Sequence, residues 1–152
     1  MHTWFECKIR YEKTMENGMN KKVTEPYLVD ALSFTEAEAR IIEEITPFIS
    51  GEFTVADIKR ANYSELFPCD EEAADRWFKC KLIFITLDEK SGAEKKTSTQ
   101  VLVQAADLRD AVKKLDEGMK GTMADYQIAS VAETPLMDVY PYSAEPDDKP
   151  EV

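Results

Sequence analysis

The chain writes nearly the same strand twice: Trp4-Phe5-Glu6-Cys7-Lys8-Ile9 returns 73 residues later as Trp77-Phe78-Lys79-Cys80-Lys81-Leu82. No other feature restricts the fold as strongly, because whatever the first half builds the second half must build again. Three more blocks follow in the same order. "KKVTEPYLVDALSF" from Lys21 parallels "KKTSTQVLVQAADL" from Lys95, and "FTVADIKR" from Phe53 parallels "YQIASVAE" from Tyr126. The ending "ELFP" at 65–68 parallels "DVYP" at 138–141. The offset changes by one residue only across a turn, where insertion is easiest. The pattern reads as a tandem duplication, with repeats at 3–68 and 76–142 and a linker at 69–75.

Each repeat reads as ββαβ. Phe5, Cys7, Ile9 and Tyr11 alternate with Trp4, Glu6, Lys8 and Arg10, the period of two that a half-buried strand requires. Phe78, Cys80, Leu82 and Phe84 form the matching row, and Ile83 and Ile85 suggest that this second strand is covered on both faces at its far end. Asn17-Gly18 and Ser91-Gly92 mark hairpin turns. The returning strands run through Val23–Ala31 and Thr97–Ala105, with Pro26 pointing to an edge or a bulge. Ser33-Phe34-Thr35-Glu36 is a capping box for a helix whose Phe34, Ala37, Ile41, Ile45 and Phe48 should face inward. The second helix takes Asp107 as N-cap, turns Leu108, Ala111, Val112 and Leu115 inward, and ends at Gly118. In the last strands the core positions step from Val55 to Ile58 and from Ile128 to Val131, which a β-bulge in each would accommodate. The fold class expected is α+β, mainly antiparallel, with two helices. One repeat alone has a marginal core, so residues 1–142 are expected to form one pseudo-two-fold domain, followed by a disordered acidic tail at 143–152.

Chemistry is limited by what is scarce. The 152 residues include one histidine, His2, which removes Ser-His-Asp and Cys-His nucleophiles within one chain. No phosphate-binding glycine motif or calcium loop is present. The three cysteines, Cys7, Cys69 and Cys80, show no CxxC spacing, so no disulfide framework, metal site or cofactor is expected. Cys7 and Cys80 are read as small apolar core residues, against the alternative of a redox pair. Nothing ahead of Trp4 resembles a secretory leader and no apolar run would span a bilayer; a cytoplasmic, non-membrane protein is expected, and not an enzyme.

Two surfaces remain as candidates. The first is the strand row opposite the cysteines: Trp4, Lys8 and Arg10 in one repeat, Trp77, Lys79 and Lys81 in the other. Aromatic rings among cations on a sheet can hold single-stranded nucleic acid by stacking and phosphate contacts. The competing reading is that the indoles pack and the cations are solvated. A formal net charge of −11 disfavours nucleic acid. The second is the acid–apolar–aromatic–Pro ending, either an exposed docking segment or an edge strand closing each repeat.

The segments "WFECKIRYEK", "VTEPYLVDALSFTEAEARI" and "WFKCKL" resemble a family of small proteins of unknown function from Bacteroidetes bacteria and their phages. The resemblance implies a bacterial or phage-borne cytoplasmic protein and supplies no catalytic residues. The expected function is a non-enzymatic protein-interaction or adaptor domain with an unidentified protein partner, self-associating through a strand edge. The alternatives are single-stranded nucleic-acid binding on the Trp4 and Trp77 faces, and acidic mimicry of nucleic acid.

Overall fold

Alternation builds the first hairpin in the computed structural model, which describes residues 3–141; His2 and the expected acidic tail lie outside them. β1 (Thr3–Thr14) pairs antiparallel with β2 (Asn20–Ala31) around the turn at Gly18, whose φ of +83° is the left-handed conformation that glycine adopts freely. The capping box then starts α1 (Phe34–Ile45). Ser33 Oγ accepts from the Glu36 N–H at 3.1 Å, and Glu36 Oε1 accepts from the Leu32 N–H at 2.6 Å. A 3-10 turn at Thr46–Phe48 follows, and β3 (Phe53–Ala61) returns along the free edge of β1.

The second half repeats the order. β5 (Arg76–Leu87) pairs with β6 (Glu94–Ala105), α2 (Leu108–Gly118) follows, and β7 (Asp125–Glu133) lies along β5. Asp107 Oδ1 caps the Asp110 N–H at 2.8 Å and Asp110 Oδ2 takes the Ala106 N–H at 2.9 Å, the same reciprocal arrangement with aspartate at both positions. The expected bulges are present and equivalent. Lys8 faces Asp57 and Ile9 faces Val55, leaving Ala56 unopposed; Lys81 faces Ser130 and Leu82 faces Ile128, leaving Ala129 unopposed.

The endings do not close the repeats that carry them. β4 (Glu65–Phe67) runs parallel to β6, and β8 (Val139–Tyr140) runs parallel to β2. The sheets are therefore β3-β1-β2-β8 and β4-β6-β5-β7. By contacts the chain divides into unit 1, up to Asn62 and again from Leu136, and unit 2, Tyr63–Pro135. Both units are α+β. Pro26 sits in β2 outside the two positions that pair with β8, so its missing N–H breaks no ladder there, and its carbonyl takes the Met137 N–H at 2.8 Å.

Each unit has a core between its helix and its sheet. In unit 1 Phe5, Cys7, Ile9, Val29 and Ala31 pack against Ala37, Ile41 and Ile45. In unit 2 Phe78, Cys80, Leu82, Val101, Val103 and Ala105 pack against Ala111, Leu115 and Met119. Three expected inward residues are outside. Phe34 and Leu108, each the first residue of its helix, are 44% and 51% exposed. Phe48 is 78% exposed because the 3-10 turn changes the helical phase after Ile45. The double cover foreseen at Ile83 and Ile85 lies instead at the other end of β5. Trp77 (5% exposed) and Leu102 (0%) are buried on the sheet face away from α2, while Ile83 and Ile85 are only partly buried.

Candidate functional site

The cationic strand rows come first. In unit 1 Trp4 is partly buried opposite Asp30 and Ala61, and Lys8 lies across from Asp57, a cross-strand carboxylate that offsets its charge. Arg10 is exposed between Thr24 and Thr54 and lines an open cleft of about 920 Å³ with Lys22, Glu12 and Glu52. In unit 2 Lys79 and Lys81 are exposed, opposite Leu102 and Gln100 of β6. Trp77 presents no ring face for stacking, since it is 5% exposed; its carbonyl holds Thr134 through both N–H and Oγ1 at 2.9 Å. Trp77 is thus withdrawn as a contact residue. A stacking platform has lost one of its two indoles.

Both repeat cysteines lie in the helix-side cores. Burial, followed by the carboxylates Glu6, Asp57 and Glu38, pushes the Cys7 thiol up from 9.0 to about 12. Burial alone pushes Cys80 to about 11. Both stay protonated and unreactive at neutral pH. Cys69 is partly exposed at a cleft of about 790 Å³ in unit 2, lined also by Phe67, Glu71, Lys114 and Gly118. Lys114 is held there by Asp110 at 2.6 Å and Glu71 at 3.0 Å, and the Asp110 bond raises its pKa further. A lysine so neutralised neither activates the thiol nor attracts an anion. Among the described residues no three His, Cys, Asp or Glu side chains group to hold a metal ion, and no helix is long and apolar enough to cross a membrane.

The surface that stands out was absent from the candidate rows. Phe34, Glu38 and Ile42 follow one another at four-residue intervals along one flank of α1, and Phe48 lies in the turn beyond. Phe34, Ile42 and Phe48 are 44%, 40% and 78% exposed. Phe34 packs edge-on against Phe5 with centroids 4.9 Å apart, and the Arg60 guanidinium of β3 lies 5.3 Å from its centroid. This flank therefore faces the free-edge strand β3. The opposite flank is engaged: Arg40 donates to the carbonyls of Asp30 and Pro141. At the matching positions α2 carries Leu108, Val112 and Asp116, so the two flanks differ in charge at the positions of Glu38 and Ile42. The signal was available in Ile41-Ile42, since adjacent helical residues cannot both face one core.

No curated protein sequence matches the chain. One family model covers residues 3–142, and on that match the chain belongs to the family described as Domain of unknown function (DUF4494).

Proposed function

We propose that this is a non-enzymatic protein-interaction domain of a cytoplasmic bacterial or phage protein, docking its partner on the β3-side flank of α1. The observation that carries the reading is the exposure of Phe34, Ile42 and Phe48 on unit 1, where the helix of unit 2 has a charged residue at the position of Ile42. Partly exposed aromatic and branched side chains on a rigid helix are suited to act as binding anchors. Exposed Glu38 and Glu43 flank them, and the chain carries a formal net charge of −11. The partner is therefore a segment with an apolar anchor and basic neighbours. Duplication supplies a second copy of the scaffold whose helix need not bind.

A displayed random peptide library selected on the full chain tests this. Apolar–basic peptides are expected to be enriched, and their affinity should fall by at least about tenfold, ~1.4 kcal/mol, in the Ile42→Glu, Phe48→Glu double variant. Enriched peptides that bind the variant equally well would place the site elsewhere. Saturable, salt-dependent binding of a labelled single-stranded oligonucleotide would favour the rival reading through Lys8 and Arg10.

A further inference from the structure

The two acid–apolar–aromatic–Pro endings occupy equivalent seats. Leu66 pairs with Leu102 and Phe67 with Val103; Val139 pairs with Leu28 and Tyr140 with Val29. In both, the apolar residue lies on the sheet face away from the helix and the aromatic residue on the helix side. Phe67 fills space against Gly118, and Tyr140 stacks on Tyr27 with centroids 6.2 Å apart. Two different sequences thus occupy one geometry. Backbone bonds supply the hold and alternate side chains the selectivity, the logic of strand addition to a sheet edge.

The two seats are not held equally. β4 has three ladder pairs, with the Cys69 N–H on Gln104 Oε1 at 2.9 Å behind it, and β5 follows it in the same unit. β8 has two ladder pairs, supported by Leu28 N–H to the Asp138 carbonyl at 3.1 Å and Met137 N–H to the Pro26 carbonyl at 2.8 Å. Leu136 and Val139 are nevertheless buried to 9% and 7% exposure. The passage from unit 2 to this strand falls between Pro135 and Leu136, directly after Thr134 is pinned to the Trp77 carbonyl. A short proline-bearing connection leading to a buried terminal strand on two ladder pairs is an arrangement from which exchange between copies can arise.

We propose that the seat on β2 is exchanged between two copies of this chain, residues 136–141 of each completing unit 1 of the other. The pairing is isologous and closes on itself. It reproduces the contacts already made within one chain, so its free energy is set chiefly by the entropy of association. Dimer therefore rises with concentration. The exchange is independent of the α1 flank, so Ile42→Glu leaves it unchanged.

Light scattering on the unmodified full chain, after incubation at increasing concentration, is expected to show a growing dimer fraction. A mass that stays monomeric throughout overturns the proposal. Two full chains in a Cys69→Ser background, one Pro26→Cys and the other Met137→Cys, are then mixed and oxidised with glutathione disulfide. A mixed disulfide is expected, because the Met137 N–H bonds the Pro26 carbonyl and adjacent strands lie within bridging distance. The chain carrying both substitutions should close on itself when dilute. Closure within one chain without any mixed product overturns the exchange. A dimer that survives Val139→Asp assigns association to another surface and overturns it equally.

Discussion

Gly118 shows how one residue connects a helix to a strand from a distant part of the sequence. It reads as a terminator of α2, yet its φ is not positive and the helix runs on to a Met119 cap in the right-handed region. Its place is explained by Phe67: a Cβ built on Gly118 would lie 2.9 Å from two carbons of that ring. Helix propensity alone would favour alanine by up to ~1 kcal/mol. Overpacking against a ring held in a β-ladder costs about 1–3 kcal/mol and wins. Gly118→Ala should therefore lower the denaturant midpoint at unchanged slope, and Phe67→Leu in the same chain should restore part of the loss. If Gly118→Ala stabilises, the ring is free to move and the packing argument fails.

The helices are specified locally, and their caps are the elements most legible in advance. Ser33 and Asp107 were readable as N-caps from sequence because capping depends on side chains within a few residues of the backbone donors they satisfy. Ser33→Ala and Asp107→Ala are each expected to cost about 1 kcal/mol in thermal or chemical unfolding. A change below a few tenths in both would mean that packing alone places the helices. The bulges were legible for the same reason: a three-residue step between core positions has few solutions in a strand. They fall in β3 and β7, the edge strands that end each sheet. A bulge twists an edge away from flat pairing, and Lys59 and Arg60 add charge to β3. This argues against self-association along β3 or β7 and directs attention to the β2 seat.

At the scale of the molecule, burial of titratable groups makes stability depend on pH in one direction. Cys7 and Cys80 are raised from 9.0 to about 12 and about 11, chiefly by burial. Below pH 9 both folded and unfolded chains keep these protons. Between pH 9 and about 11–12 the unfolded chain releases them and the folded chain does not, so stability falls as pH rises. Tyr11, Tyr27 and Tyr140, each raised above 10.0 by burial first and then by Glu25 or Asp138, extend the decline. The melting temperature should hold from pH 7 to about 9 and then drop, with a shallower drop in Cys80→Ala despite its lower absolute stability. A flat profile through pH 11 would show that these groups are accessible to solvent in the folded chain.

Local periodicity by itself determined the two helices, both hairpins, the caps, the bulges and the helix-side rows of Phe5, Cys7 and Ile9 and of Phe78, Cys80 and Leu82. Each depends on residues a few positions apart, so two halves with similar local patterns display them twice. Only the tertiary structure decided which sheet each ending joins, because a short apolar strand fits either of two nearly identical edges. It alone also decided that Trp77 is buried while Trp4 is partly open, and that Phe34, Ile42 and Phe48 face solvent. Exposure is a property of what lies across from a side chain, and for those residues the facing atoms come from distant parts of the chain or are absent.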